Sequence, residues 1–298
     1  MRNQKCRTVW AARRFPLKPA VFAMALLAGL LTSPFAYADA LDFATARGSL
    51  KVGVAEEDFI PWLAKDKSGN RIGFEIDVAT GVADALGVPA EFIEIPFDNL
   101  LQGLAAGEVD VVISAVSISA ERARGVFFSA PYSTTDFTLV VDKSNLPEAA
   151  DDQGYDVEGF KIGVAQGTLS EAAATAEFRH AEIVKFQSDG GLRDAFIDKV
   201  VQGAIAPTPY PDFIVSRDPD RYEKEQSPLL STRQAMAVRP DSPRLLNFLN
   251  AWVIESEANG HLAQMSAYWF ENTDWFDRLE GYETEPDEGG DGVSAKRK

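Results

Sequence analysis

Two nearly identical pentapeptides, KVGVA at 51–55 and KIGVA at 161–165, constrain the fold of this chain more than any other feature. Each is a short apolar run typical of a buried strand, and each begins a series in which helical and strand-like patterns alternate. Alternation of this kind forms a mostly parallel sheet covered by helices. Because the series occurs twice, the sequence predicts two α/β units.

The elements of both units follow from apolar spacing and from the glycines and caps that bound helices. Gly87 and Gly107 are expected to end the two helices of the first unit, and Ser188 or Asp189 is a natural N-cap in the second. The predicted strands are 50–55, 91–95, 109–114, 137–143, 161–165, 181–186, 203–206 and 233–240. The predicted helices are 75–87, 99–108, 170–178 and 189–201, with two more helical patterns within 242–270.

These elements predict a two-lobed protein with a cleft between its lobes. We expect lobe 1 at 45–138 plus 235–280 and lobe 2 at 139–234, joined by extended segments near 137–143 and 228–237. Ligands of open α/β sheets bind beyond the carboxyl ends of the strands, where the loops converge. The final stretch, 281–298, is acidic and almost free of apolar residues, which predicts a disordered tail.

The first 38 residues have the pattern of a secretory signal peptide. A basic start without acidic residues precedes the apolar core AVFAMALLAGLL at 20–31, which is shorter than a membrane span, and Ala36-Tyr37-Ala38 supplies the small residues of a cleavage site. A retained N-terminal anchor is the alternative. Cleavage favours a periplasmic location, with no direct membrane insertion of the mature chain.

Removing this leader deletes six basic residues and no acidic ones, so the formal net charge changes from −16 to −22. Such acidity argues against nucleic acid and anionic lipid as partners, because both require a basic surface. The only cysteine, Cys6, lies in the leader, so the mature chain has no disulfide and no thiol nucleophile or metal ligand. A buried anion site remains compatible with this charge, because surface charge is screened over about 8 Å at physiological ionic strength.

The segment AVSISAERARGVFFSAPY at 115–132 is the main candidate for chemistry. Ser117, Ser119 and Arg122 lie within six residues, directly after an apolar strand. Small hydroxyls beside a guanidinium can hold an anion, although the same pattern also occurs in an ordinary turn with a solvated arginine. The loop AQGTLS at 165–170 follows the equivalent strand of the second unit and would form the opposite wall.

Four segments in order along about 48–270 resemble the bacterial extracellular solute-binding proteins of family 3, the periplasmic receptors for polar amino acids of ABC importers. They are GFEIDVATGVADAL at 73–86, AVSISAERARGVFFSAPY at 115–132, GVAQGT at 163–168 and NGHLAQMSAYWF at 259–270. The resemblance implies a type II periplasmic binding protein fold that closes by a hinge motion around its ligand. It also implies a monomer, with a membrane permease as partner.

The resemblance implies roles for several residues. Arg122 would clamp a ligand carboxylate, aided by hydroxyl and N–H donors of Ser117 and Ser119 and by the dipole of a helix that begins after them. Phe59 and Phe97, with Trp62 nearby, would enclose the ligand side chain, or else belong to the core. Further implied contacts are Glu56, which would attract a ligand ammonium, and the neutral donors Gln166, Gly167 and Thr168.

The second unit departs from the family pattern in two positions. Pro207 stands where relatives that bind α-amino acids carry an aspartate, and Ala165 stands where some carry a basic or polar residue. Asp212 lies too far along the loop to substitute. A buried ammonium without a carboxylate is costly. Either Glu56 alone supplies the counter-charge, or the ligand is a carboxylate without a conventional α-amino group.

Other function classes have weaker support in the sequence. The two histidines, His180 and His261, lie in unrelated contexts, and the sequence lacks GxSxG, HExxH and phosphate-loop patterns. No cofactor or metal is implied. Because some cyclohexadienyl dehydratases share this scaffold, an enzyme remains an alternative to a binding protein. A periplasmic accessory protein that docks on another protein is a third possibility.

Overall fold

A computed structural model describes residues 39–150, 154–272 and 275–279, and the backbone of 282–285 and 294–297. The predicted signal peptide, 1–38, lies outside the described residues. Among those described, no helix combines the length and apolarity that a bilayer crossing requires. The elements up to the first crossing between lobes are α1 (Ala40–Arg47), β1 (Leu50–Ala55), β2 (Ala64–Lys65), β3 (Arg71–Ile72), α2 (Phe74–Leu86), β4 (Ala90–Ile95), α3 (Leu100–Ala106), β5 (Val111–Val112) and β6 (Phe127–Phe128).

The chain then builds a second lobe and returns to the first. The second lobe contains β7 (Ser133–Asp142), β8 (Lys161–Ala165), α4 (Leu169–Glu177), β9 (Glu182–Phe186), α5 (Asp189–Ile197), β10 (Gly203–Pro207), α6 (Tyr210–Arg217), β11 (Tyr222–Lys224) and β12 (Leu230–Gln234). The return segment contains β13 (Ala237–Val238), α7 (Pro243–Ala258) and α8 (His261–Ser266).

Each lobe has its own sheet and its own core. The first sheet has the order β4-β1-β5-β13-β6, in which β1 is parallel to both β4 and β5. The second has the order β11-β7-β10-β8-β9, with β12 also paired to β7, and β8 is parallel to β9 and β10. One apolar cluster fills the first lobe, and two clusters fill the second. The predicted α/β architecture with two parallel-strand units is confirmed.

The chain passes between the two lobes at two places, and both differ slightly from the expected boundaries. The long strand β7 pairs with β12 from Ser133 onward, so this crossing precedes the expected boundary at residue 138. The strand expected at 233–240 is two strands, because β12 pairs with β7 in lobe 2 whereas β13 pairs with β5 and β6 in lobe 1. The hinge connections are therefore short and lie near residues 129–133 and 234–237.

Several other elements differ from the sequence prediction. Lobe 1 begins earlier than residue 45, because Asp39 caps α1 and its carboxylate also accepts the amides of Arg244 and Leu245 at the start of α7. Strand β5 is shorter than 109–114, since the Ser114 hydroxyl accepts the Ala55 amide where a ladder carbonyl would do so. Helix α5 ends at Ile197 because Lys199 adopts a left-handed φ of 61°.

The segment 281–298, predicted to be a disordered tail, contains a described antiparallel pair, β14 (Tyr282–Glu285) and β15 (Ser294–Arg297). This pairing differs from the expected disorder, because the backbone N–H and C=O groups of the two strands are hydrogen-bonded to each other. The rest of the segment lies outside the described residues, and disorder there stays a prediction.

Candidate functional site

A cavity between the two lobes collects the loops that follow the parallel strands of both sheets. It encloses about 790 Å³ of empty space, part of which is open to solvent. Its polar and aromatic lining from lobe 1 includes Phe59, Trp62, Phe97, Ser114, Ser117 and Arg122. Its lining from lobe 2 includes Ala165, Gln166, Thr168, Ser170, Asp189 and Pro207. The motif at 115–132 and the loop at 165–170 therefore face the same cavity, as the sequence predicts.

Arg122 is half-buried at this cavity and contacts both lobes. Its Nη1 donates to the Ser117 carbonyl at 2.9 Å, and its Nη2 donates to the Gly167 carbonyl of lobe 2 at 3.1 Å. The ring of Phe97 lies against the guanidinium, with 5.9 Å from Cζ to the ring centroid. Burial lowers the pKa of Arg122, and Glu121 acts in the opposite direction. The group keeps its charge at neutral pH, because an arginine is effectively always protonated.

Ser119 positions Arg122 and does not line the cavity. Its Oγ accepts the Arg122 amide at 3.1 Å and so caps the turn that carries the guanidinium. The helix expected after this point is only the three-residue 3₁₀ turn Arg122–Arg124, which stops at Gly125. So short a turn has no substantial dipole. Anion binding here depends on the guanidinium and on neighbouring hydroxyl and N–H donors.

The aromatic residues Phe59 and Trp62 form one wall in lobe 1. Their rings are stacked with centroids 4.5 Å apart. Trp62 is 2% exposed, and its Nε1 has no hydrogen-bond partner among the described residues. A buried donor without a partner is costly, so this indole is suited to an acceptor brought by a ligand.

The acidic residue predicted for the site, Glu56, lies elsewhere. It is exposed and does not line the cavity. Two hydrogen bonds hold its backbone, since its N–H donates to the Ile95 carbonyl and its carbonyl accepts from the Arg71 guanidinium. The next two residues, Glu57 and Asp58, line the cavity instead. The direction in which the chain leaves β1 could not be deduced from the residue types.

Two further carboxyl groups in the lining were not predicted. Glu75, in the first turn of α2, is 0% exposed and accepts the Tyr132 hydroxyl at 2.5 Å. Burial raises the pKa of Glu75 to about 7, although the hydrogen bonds from Tyr132 and from the backbone of Ala115 lower it. Asp189, at the start of α5, is 7% exposed and pairs with Arg193 at 3.3 Å.

The neutral residues predicted in lobe 2 form the opposite rim. Thr168 caps α4, and its hydroxyl donates to the Ala165 carbonyl at 2.7 Å. The amide of Gln187 donates to Gln166 Oε1 at 3.0 Å. Gly167 presents its carbonyl to Arg122 instead of lining the cavity. Pro207 lines the cavity as an apolar residue. Asp212, on α6, is exposed and forms an ion pair with Lys224 of β11.

The described residues contain no group of three or more His, Cys, Asp and Glu side chains placed to hold a metal ion. Both histidines are exposed. The chemical groups in the lining of the cavity are a guanidinium, carboxyl groups, hydroxyls and aromatic rings.

Comparison with known proteins agrees with this architecture. The profile of the bacterial extracellular solute-binding proteins, family 3, matches residues 50–272. The chain belongs to this family, and its fold is that of the type II periplasmic amino acid-binding proteins.

Individual relatives are binding proteins. The L-cystine-binding protein TcyJ of Escherichia coli is 29% identical over 84% of this chain and 93% of its own. The histidine-binding periplasmic protein of the same species is 24% identical over 77% of this chain and 90% of its own.

Solved structures of amino acid-binding proteins are similar to this chain in fold. A binding component of an ABC transporter from Wolinella succinogenes, complexed with lysine, superposes with a TM-score of 0.71 at 26% identity, covering 78% of this chain and 100% of its own. The ancestral amino acid-binding protein AncCDT-1, a precursor of cyclohexadienyl dehydratase, gives a TM-score of 0.70 at 29% identity over 77% of this chain and 99% of its own.

Proposed function

We propose that this member of the family is an exported receptor that closes its two lobes around an α-amino acid and delivers it to the permease of an ABC importer. The observation that carries the proposal is the Arg122 guanidinium, which lies at a cavity between the lobes and is bonded to both of them. A guanidinium offers five N–H donors in a planar fork, and that fork matches a carboxylate. The leader sequence supports a periplasmic location, and a monomer suffices for the mechanism.

The charges around the cavity favour a ligand that also carries positive charge. The lining contains the carboxyl groups of Glu57, Asp58, Glu75 and Asp189 and one guanidinium, that of Arg122. A second carboxylate on the ligand would lie among these acids without a second guanidinium among the described lining residues, whereas an ammonium compensates an ionised acid. Relatives named for cystine and histidine, and a neighbour complexed with lysine, agree in class.

Hinge closure explains how such a site holds its ligand. Lobe 1 presents Arg122 and the aromatic wall, and lobe 2 supplies the Gln166–Ser170 loop. Closure around the ligand removes water from the carboxylate and its donors, which strengthens each hydrogen bond. Micromolar affinity requires about −8 kcal/mol, which a clamped carboxylate and an enclosed side chain can supply.

A thermal-shift panel tests the proposal. The mature chain is incubated with L-cystine, L-arginine, L-lysine, L-histidine and, as controls, succinate and citrate. We expect at least one amino acid to raise the melting temperature in a concentration-dependent manner, because a ligand that binds only the folded state stabilises it. Stabilisation by no amino acid would refute the proposal. Co-purification with a protein and no response to small molecules would favour the accessory role.

The second candidate function is that of an enzyme with the same fold. The observation that favours it is the burial of Glu75 at the cavity. A buried carboxyl group at a ligand cavity with a pKa of about 7 has the properties of a general acid. One structural neighbour is a precursor of cyclohexadienyl dehydratase. Incubation with prephenate and with arogenate, followed by mass spectrometry of the products, separates the two functions. Loss of water and carbon dioxide from either compound would favour the enzyme.

A further inference from the structure

The proposed function leaves one requirement of the site open, namely the counter-charge for the ligand ammonium. An ammonium enclosed with a carboxylate in a closed cavity needs an ionised acid beside it, because desolvation of an unpaired charge is costly. Glu56, the residue expected from the sequence, does not reach the cavity. Pro207, at the end of β10, lines it and carries no charge. Among the described residues, the lining offers four carboxyl groups for this role, those of Glu57, Asp58, Glu75 and Asp189.

Three of these four are poorly suited to hold an enclosed ammonium. Glu75 is hydrogen-bonded to the Tyr132 hydroxyl, and its burial favours the neutral acid near pH 7. Asp58 has a side chain that is 48% exposed, so water screens its charge. Glu57 accepts the Phe97 amide at 3.1 Å and so fixes the ring beside Arg122. All three also lie in lobe 1, together with Arg122.

Asp189 differs from them in place and surroundings. It lies in lobe 2, directly beyond the carboxyl end of β9, and is 7% exposed. Burial raises the pKa of Asp189, and Arg193, one helical turn later with its Nε 3.3 Å from Oδ2, acts in the opposite direction. Asp189 is followed by Gly190 and Gly191, so the next two residues add no side chains to this end of the helix.

From this arrangement we infer that Asp189 is the specificity-determining residue of lobe 2 and receives the ammonium of a zwitterionic ligand whose carboxylate is held by Arg122. The inference rests on the proposed function and adds to it the residue that recognises the amino group of the ligand. The two charges of one ligand then engage opposite lobes, so the ligand itself joins them. A ligand without the amino group engages only Arg122 and loses this link.

The test compares each amino acid with its analogue that lacks the amino group. Binding of L-arginine and δ-guanidinovalerate, and of L-cystine and dithiodipropionate, is measured by calorimetry for the wild type, Asp189→Asn and the control Asp194→Asn. Asp194 is an exposed residue of the same helix. We expect Asp189→Asn to weaken the amino acid by about ten- to a hundredfold, since one hydrogen bond between charged groups contributes about 1.5–3 kcal/mol. The analogue should change by less than about threefold.

The outcomes separate the inference from the function on which it rests. Equal weakening of amino acid and analogue would show that Asp189 acts only through structure, and unchanged binding of both would show no role; either result overturns the inference and leaves the proposed function standing. Retained analogue binding shows that the variant is folded. If the wild type binds none of the amino acids in the thermal-shift panel, the proposed function itself fails, and the inference with it.

Discussion

Replacing Gly167 by alanine should hinder the closure of the lobes. Gly167 belongs to lobe 2 and has a φ of 74°, and a Cβ at this position would lie 2.0 Å from Oδ1 of Asp98 in lobe 1. An ordinary contact requires about 3.4 Å or more, so the lobes or the carboxylate must move by more than an ångström. Asp98 is exposed, so its side chain can rotate away, and an off-rotamer side chain costs about 0.5–1.5 kcal/mol. Because this cost falls on the arrangement in which the two lobes are in contact, the ligand Kd should rise roughly 2- to 12-fold.

Gly159→Ala is the matched control. Gly159 also lies in lobe 2 and has a φ of 86°, but a Cβ there would have nothing within 4 Å. Both variants carry the strain of a left-handed alanine, about 1 kcal/mol, and only Gly167→Ala carries the clash between lobes. Melting temperatures should therefore fall by comparable amounts, whereas affinity should fall only for Gly167→Ala.

Calorimetry measures the affinity, and small-angle scattering of the ligand-saturated protein measures closure. Removing the opposing carboxylate with Asp98→Ala should restore affinity in the double variant. If Gly167→Ala binds as tightly as Gly159→Ala, or if the double variant is no better than Gly167→Ala alone, the contact between Asp98 and Gly167 does not limit closure and the reasoning is refuted.

Two other substitutions in lobe 1 give distinct results. The folded-state pKa of Glu75 is raised to about 7 from an ordinary 4.5, so the folded protein holds a proton that the unfolded chain releases, and stability is lost as pH rises from about 4.5 to 7. Glu75→Gln should remove about 3 kcal/mol of this loss, seen as a flatter dependence of urea-unfolding free energy on pH; parallel curves for variant and wild type would contradict the assignment. Trp62→Phe keeps a ring against Phe59 and removes the Nε1–H, which has no partner among the described residues, so ligand affinity should fall by about three- to tenfold. The melting temperature of the ligand-free protein should also fall, because the smaller ring leaves a cavity beside Phe59 and Phe270. Unchanged affinity would show that the indole N–H meets no ligand acceptor.

The architecture could be predicted from the sequence because most strands and helices follow from local apolar patterns and capping residues. Strands β1 and β8 coincide with the apolar runs 50–55 and 161–165, and Ser188 caps α5 as expected. The hinges were less predictable. The run 233–240 has one continuous strand pattern, and only pairing with strands distant in sequence divides it between two sheets.

The site residues likewise fall into some that could be predicted from local motifs and others that depend on tertiary structure. Arg122, Ser117, Phe59 and Phe97 all reach the cavity, because their motifs directly follow strand ends. The carboxyl groups could not be predicted, because the path of the loop after β1 decides which of Glu56, Glu57 and Asp58 faces the cavity. The residue types around Asp189 indicate only a possible helix cap. Its position beyond the carboxyl end of β9 was the available signal, but its burial is a tertiary property.

The most direct test of the account is the affinity of Arg122→Ala, measured by calorimetry beside Arg124→Ala with the amino acid that stabilises the wild type most. Arg124 belongs to the same 3₁₀ turn and is exposed. Loss of two hydrogen bonds to a carboxylate, each about 1.5–3 kcal/mol, predicts binding weakened by more than a hundredfold in Arg122→Ala. Arg124→Ala should bind and melt like the wild type, whereas ligand-free Arg122→Ala should stay folded and melt somewhat lower, because it loses the hydrogen bonds to the Ser117 and Gly167 carbonyls. Wild-type affinity in Arg122→Ala would contradict the account.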